Sequence, residues 1–228
     1  MNEVNFQPSC GSSASTVREA LGWLHTARFL TSAAQLAHLP PAGVPEIAFV
    51  GRSNAGKSSA INALAQHARL AFASKRPGRT QHINLFALGR SGAHEASLAD
   101  LPGYGWAAVP QADKERWQRV MAAYLRERAS LAGVVLLCDA RHGLRELDEA
   151  LLELIAPRVA GGMPYLVLLT KADKLSRAQQ TKALQIARLQ TAGGHALLFS
   201  ALRRQGLGEA ARWLRGVAAG KVPERAGQ

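Results

Sequence analysis

A three-layer α/β domain is the fold this 228-residue chain predicts: a mixed, mostly parallel six-stranded sheet with helices on both faces. Three observations predict it. Apolar strand-like runs alternate with helix-length stretches, which calls for right-handed crossovers and parallel pairing. Two runs near the start, 82–88 and 94–100, are joined by Gly89 to Gly92 and read as a hairpin, giving one antiparallel edge. The composition, 47% apolar and 19% charged, suits one globular domain with an ordinary core.

The elements follow in order. Residues 1–43 read as an N-terminal extension. Its first fifteen residues are small and polar, as in a frayed tail. Thr16-Val17-Arg18-Glu19 has capping-box spacing ahead of Leu21, Trp23 and Leu24, so a short helix is predicted there. Pro40, Pro41, Gly43 and Pro45 then break the chain. The domain proper spans 44–217, with strands at 46–50, 82–88, 94–100, 132–139, 165–170 and 195–199. Helices are predicted at 57–68, 113–129, 146–158, 176–191 and 206–218, and 218–228 form a basic tail.

Several function classes are excluded early. No run reaches the eighteen apolar residues of a membrane span, and no secretory signal opens the chain. Cys10 and Cys138 lie far apart with no metal-ligand spacing, and the seven histidines form no H-E-x-x-H or triad-like motif. A disulfide scaffold and a zinc hydrolase are therefore not expected, and Cys138, in an apolar run, reads as an inert core residue. The formal charge is +12 and uneven. Residues 44–81 carry net +5 and 174–228 net +8, with a near-neutral stretch between. Clustered cations of this kind suit a polyanion such as nucleic acid, although an Arg-rich composition alone would raise the charge.

The chemistry concentrates at strand ends. Gly51-Arg52-Ser53-Asn54-Ala55-Gly56-Lys57-Ser58 fits G-x-x-x-x-G-K-[ST] between a predicted strand and a predicted helix. Its backbone N–H groups would wrap a phosphate, Lys57 would neutralise β- and γ-phosphates, and the Ser58 hydroxyl would bind Mg²⁺. Asp100-Leu101-Pro102-Gly103 ends the third strand, where Asp100 would hold Mg²⁺ through water and the Gly103 N–H would approach a γ-phosphate. In isolation this reads as a turn. Thr170-Lys171-Ala172-Asp173 ends the fifth strand. The Asp173 carboxylate can accept from the two donors on guanine's edge, and the Lys171 stem can lie over the base. In isolation Asp173 reads as a helix cap. Ser200-Ala201 and Thr80 are weaker still alone. Their order along the chain gives them meaning.

Phosphate loop, basic-loop Thr, D-x-x-G, T-K-x-D and S-A are the five ordered boxes of Ras-like, translation-factor-type GTPases. More narrowly, the chain resembles the bacterial EngB (YihA/YsxC) ribosome-biogenesis GTPases from about residue 28 to 215. The match is carried by PEIAFVGRSNAGKSSAINAL, SKRPGRTQHINLF, DLPGYG, CDARH, VLLTKADKL and FSALRRQG. The resemblance implies a Ras-like P-loop GTPase domain. It implies that Gly78, Arg79, Thr80, Gln81 and His82 form the first switch, with Thr80 on Mg²⁺. It implies guanine held by Thr170 to Asp173 and by Phe199, Ser200 and Ala201, and a catalytic group of Lys57, Thr80 and Gly103. It further implies a cytoplasmic bacterial protein, monomeric off the ribosome, that binds GTP and GDP and hydrolyses GTP slowly. Its expected partners are the large ribosomal subunit precursor and rRNA, with no membrane, and its loss is expected to disturb division and septation.

Two details bear on mechanism. Tyr104 follows D-x-x-G where Ras-type enzymes carry a water-orienting Gln, so unaided hydrolysis is expected to be slow. Asn54 resembles the Asn that binds K⁺ beside the phosphates in some GTPases, and equally suits a residue chosen for its backbone; both readings are open. RNA contact is expected from Arg188, Arg203, Arg204, Arg212 and Arg215, with Lys75, Arg76 and Arg79 in the first switch as a further basic group. Trp106 fits either stacking or packing. No chemical role is evident for Asp139 to His142, and strand-end packing is the default. The competing readings are an RNA-binding assembly scaffold with a mainly structural guanine site, and a P-loop kinase, which gives T-K-A-D no purpose.

Overall fold

The computed structural model describes residues 11–71, 82–105, 111–191 and 194–221. Helix α1 (Gly11–Leu24) leads into strand β1 (Arg28–Ala33), followed by β2 (Glu46–Gly51), α2 (Lys57–Ala65), β3 (Ile83–Leu88) and β4 (Ala96–Asp100). Then come α3 (Gln111–Glu127), β5 (Leu131–Asp139), α4 (Glu146–Ala160), β6 (Tyr165–Thr170), α5 (Arg177–Gln190), β7 (His195–Leu198) and α6 (Leu207–Ala218). The sheet runs β1-β3-β4-β2-β5-β6-β7, antiparallel across β1, β3 and β4 and parallel from β4 onward.

Strand β2 shows why the middle is buried on both faces. Ile47 and Phe49 pack with α1, α2 and α6, while Ala48 and Val50 pack with α3, α4 and α5. Residues of alternating direction are all apolar, as a sheet covered on both sides requires. The three layers are therefore as predicted.

Two expectations need correction. The sheet has seven strands, not six, because β1 lies in the stretch read as an extension and pairs with β3. As an edge strand it exposes Phe29 and Leu30 and carries a register shift, so it has no continuous apolar signature. The first helix begins at Gly11, so Thr16 lies within it and not at its N-cap, and residues 11–15 are helical where a frayed tail was expected. Ala20, Trp23 and Leu24 bury that helix against the same core as α6.

Candidate functional site

The phosphate-loop residues Gly51 to Ser58 connect β2 to α2 at the end of the parallel strands, where open α/β sheets bind ligands. The loop turns through left-handed residues, Asn54 at φ 64° and Gly56 at φ 90°, and α2 begins at Lys57 with the Ala60 amide bonded to Gly56 O. Glycine adopts that conformation without steric cost. The loop thereby presents the helix N-terminus, the feature that suits phosphate.

Register brings Asp100 beside this loop, since β4 runs parallel to β2 and Asp100 pairs with Phe49. The Lys57 ammonium makes an ion pair with the Asp100 carboxylate, and both side chains are buried. Leu101, Pro102 and Gly103 continue along the loop: Leu101 N bonds Phe49 O at 3.1 Å, Tyr104 N bonds Gly51 O at 3.3 Å, and Ser53 N bonds Tyr104 O at 2.9 Å. A Cβ on Gly103 would sit 3.3 Å from Ser53 N, so only glycine lets the two loops approach without displacement. Ser58 and Asp100 supply hard oxygen donors, a hydroxyl and a carboxylate, which fit a partly hydrated Mg²⁺.

Tyr104 turns away from this chemistry. It is buried, and its hydroxyl donates to Asp148 Oδ1 at 2.6 Å in the first turn of α4. Burial, reinforced by the Asp148 charge, pushes its hydroxyl far above the ordinary tyrosine range. Asp148 Oδ2 accepts the Arg145 N–H at 3.0 Å, closing the helix cap. Cys138 shares this buried neighbourhood, where desolvation and Asp148 push the thiol upward and leave it protonated, as an inert core residue should be.

The second half of the site is bonded to the first. Thr170 Oγ1 donates its single proton to Ala55 O at 2.5 Å, with Cys138 O also within reach of it at 3.1 Å. Lys171, itself left-handed at φ 56°, donates from Nζ to Asn54 O at 2.7 Å and to Asp139 Oδ2 at 2.9 Å. Arg141 also clasps Asp139, through Nε at 2.9 Å and a terminal nitrogen at 2.7 Å. Burial opposes ionisation of Asp139, but the Arg141 and Lys171 hydrogen bonds outweigh it and hold the carboxyl well below the usual range. This gives Asp139 a positioning role that sequence reasoning missed. An acid and a base, Asp139 and Arg141, directly after an apolar strand were the available signal.

Asp173 meets the loop after β7. Ser200 Oγ donates to Asp173 Oδ1 at 2.6 Å, and Ala172 N bonds Phe199 O at 3.1 Å. Ser200 is also tied to Gln205 by two backbone bonds of 3.1 Å, and its hydroxyl accepts the Arg203 N–H at 3.1 Å. Thr170 to Asp173 and Phe199 to Ala201 are thus brought together as expected. Asn54 is exposed in a left-handed conformation that asparagine tolerates. His82 is exposed just before β3. Gly78, Arg79, Thr80 and Gln81 lie outside the described residues, as do Lys75, Arg76, Trp106 and Cys10. Among the described residues, no helix is long and apolar enough to cross a membrane.

A family model described as "50S ribosome-binding GTPase" matches residues 46–171, from the first residue of β2 into the Thr170–Lys171 segment. The chain is 67% identical over 194 residues to the "Probable GTP-binding protein EngB" of Acidovorax ebreus, covering 85% of this chain and 89% of that protein. It is 64% identical over 195 residues to the protein of the same name from Albidiferax ferrireducens, covering 86% and 94%. Among solved structures, a probable GTP-binding protein engB superposes with a TM-score of 0.62 at 19% identity, over 77% of this chain and 100% of that one, and supports the fold.

Proposed function

This chain belongs to the EngB family of P-loop GTPases, a GTPase of the ribosome-binding type, and on that premise we propose a Mg²⁺-dependent, guanine-specific switch that serves assembly of the large ribosomal subunit. One observation carries the reading. The guanine segment donates directly into the phosphate loop, through Thr170 to Ala55 O and Lys171 to Asn54 O. Base recognition and phosphate binding are thereby held at one spacing, which a P-loop with no preference for its base would not need.

Within this cycle each residue has a task. The backbone of Gly51 to Gly56 wraps the phosphates, and Lys57 shares its charge between Asp100 and the phosphate oxygens. Ser58, Thr80 and, through water, Asp100 would hold Mg²⁺. The ion, when bound, neutralises charge developing on the β- and γ-phosphate oxygens. The Gly103 N–H senses the γ-phosphate, and Asp173 accepts from guanine while Ser200 and Phe199–Ala201 fix its position. Tyr104 is committed to Asp148, so it positions no water and hydrolysis is slow without a partner. A K⁺ ion at Asn54 would add cationic charge beside the phosphates. Higher turnover in KCl than in NaCl, with ribosomes present, is the expected result, and equal turnover removes the ion from the proposal. Arg188, Arg203, Arg204, Arg212 and Arg215 contact rRNA, and impaired subunit assembly underlies the expected septation defect.

The testing experiment titrates fluorescent GDP against GDP, GTP, ADP and ATP, with and without purified large subunits. Competition by guanine nucleotides only, with subunit binding strengthened by GTP over GDP, is expected. Adenine nucleotides competing equally would remove the Asp173 argument. The buried Tyr104 side chain favours one second reading, an assembly scaffold whose nucleotide site is structural. Lys57→Ala separates them, because a scaffold keeps its function when turnover is lost.

A further inference from the structure

A cavity of about 520 Å³ lies far from the phosphate loop. It lies between α1, α6 and the β3–β4 turn. Glu95, on its floor, immediately precedes β4, whereas Asp100 at the other end of β4 faces Lys57, so the cavity and the nucleotide site occupy opposite ends of the sheet.

Arg215 is its central feature. The guanidinium carbon lies 4.8 Å from the ring centroid of Trp23. Glu95 Oε2 accepts from Arg215 at 3.0 Å and from Trp23 Nε1 at 3.1 Å, so one carboxylate oxygen fixes both planar groups. The indole is only 2% exposed while the Arg215 side chain is 46% exposed. The Arg215 guanidinium thus has the indole on one side, and its side chain remains nearly half exposed to solvent. Beside it, Arg90 and Arg212 are exposed, and their side chains make no hydrogen bond or ion pair among the described residues.

We propose that this cleft binds one unpaired nucleotide of a single-stranded RNA segment, its base stacked on the Arg215 guanidinium and its flanking phosphates paired with Arg90 and Arg212. Guanidinium planes stack on bases of any identity, and a cleft of this volume is ligand-sized. The carboxylates of Glu19 and Glu95, which also line the cleft, disfavour an acidic peptide or a compact polyphosphate there but not a neutral base. This deepens the ribosome-binding reading and rests on it, adding a contact independent of the guanine site.

The test uses the full chain loaded with GDP and a fluorescein-labelled single-stranded RNA hexamer, followed by anisotropy over a salt series. R215K keeps the charge but loses the plane, and is expected to weaken binding about 5- to 100-fold with the salt slope unchanged. R90Q/R212Q is expected to flatten the slope of log K against log salt by about 1.4, the value for two single-strand phosphate contacts. GDP affinity, measured on the same preparations, stays at the wild-type value in both variants. Wild-type RNA affinity in R215K overturns the proposal even where GDP binding is intact. Loss of guanine specificity in the wild-type chain strikes the parent reading instead. Displacement of the hexamer by free AMP at equal base concentration overturns the RNA assignment in favour of a mononucleotide site.

Discussion

Strand β2 is bracketed by two buried ion pairs, and they are built differently. At its start, Glu46 is met by Arg128 through Nε at 3.0 and 3.2 Å and through a terminal nitrogen at 2.5 Å, and by the Tyr124 hydroxyl at 2.5 Å. Arg128 also donates to Pro40 O at 2.8 Å, and Glu46 N donates to Ser130 O at 2.7 Å. Beyond its other end, Lys57 meets Asp100 through a single carboxylate oxygen. The first cluster uses nearly all its donors and acceptors internally. The second keeps ammonium protons and a carboxylate oxygen for something else. Both carry the desolvation cost of buried charge, but only the sparse one can exchange partners with a phosphate. The start of β2 is thus closed on itself, while the pair beyond its end keeps hydrogen-bonding capacity in reserve.

Mutation of the two pairs should separate along that line. Glu46→Ala strands the Arg128 charge and is expected to cost about 3–5 kcal/mol of unfolding free energy, read by urea denaturation, with GDP affinity unchanged in the folded protein. A parallel loss of nucleotide affinity would break the distinction. Lys57→Ala is expected to lower turnover about 10²–10³-fold, the usual effect of removing one group that stabilises transition-state charge. Single-turnover hydrolysis checks it, and retained turnover would make both pairs structural.

A smaller effect is expected on the guanine side. Asp173→Asn replaces an acceptor by an amide that faces guanine's donors, leaving groups unpaired, and should weaken GDP binding about 10- to 100-fold. Xanthine carries a carbonyl in place of guanine's amine, so the variant should prefer XDP in the same competition assay. Equal losses for both bases would show that Asp173 acts through Ser200 rather than on the base. Asp139→Asn should follow with a loss of about fivefold in GDP affinity, within the range of one net hydrogen bond, because Lys171 loses a carboxylate but keeps Asn54 O. A larger loss would move Asp139 from positioning to direct contact.

These residues differ in how visible they were before the fold was known. The phosphate loop announces itself between an apolar strand and a helix, whereas Asp100, Thr170 to Asp173 and Ser200 become legible only through their order along the chain behind it. The central strands β2, β5 and β6 were visible because strands buried on both faces are continuous apolar runs. Edge strand β1 was not, because half its surface faces water and Phe29 and Leu30 are exposed there. The start of α1 was missed because Gly11, Ser12 and Ser13 have poor helix propensity, and burial of Ala20, Trp23 and Leu24 on α6 overrides it. The Glu46 cluster joins residues 78 and 82 positions apart, a distance no local pattern spans. Tyr104 was legible as a missing glutamine, but its bond to Asp148 was not.

The smallest effect uses the tyrosines that attend the two ends. Tyr124 donates to Glu46 and Tyr104 to Asp148, and burial first, then the facing carboxylate, raises both hydroxyls above the ordinary value. A raised native value means the hydroxyl stays protonated in the folded state while the unfolded chain releases its proton near pH 10. Stability from this source is complete below that pH and is lost as pH rises above it. Each tyrosine should contribute a fall of about 1.4 kcal/mol per pH unit once the unfolded group is ionised. Tyr104→Phe and Tyr124→Phe should each remove one such share from the alkaline slope of unfolding free energy. Only Tyr104→Phe should also change GTP turnover, because its backbone is bonded to the phosphate loop at Gly51 and Ser53. No turnover change in Tyr104→Phe, with its slope share still lost, would mean that the hydroxyl at the ligand end is as purely structural as the one at the other, whereas a turnover change in Tyr124→Phe would mean that the start of β2 also bears on the ligand end.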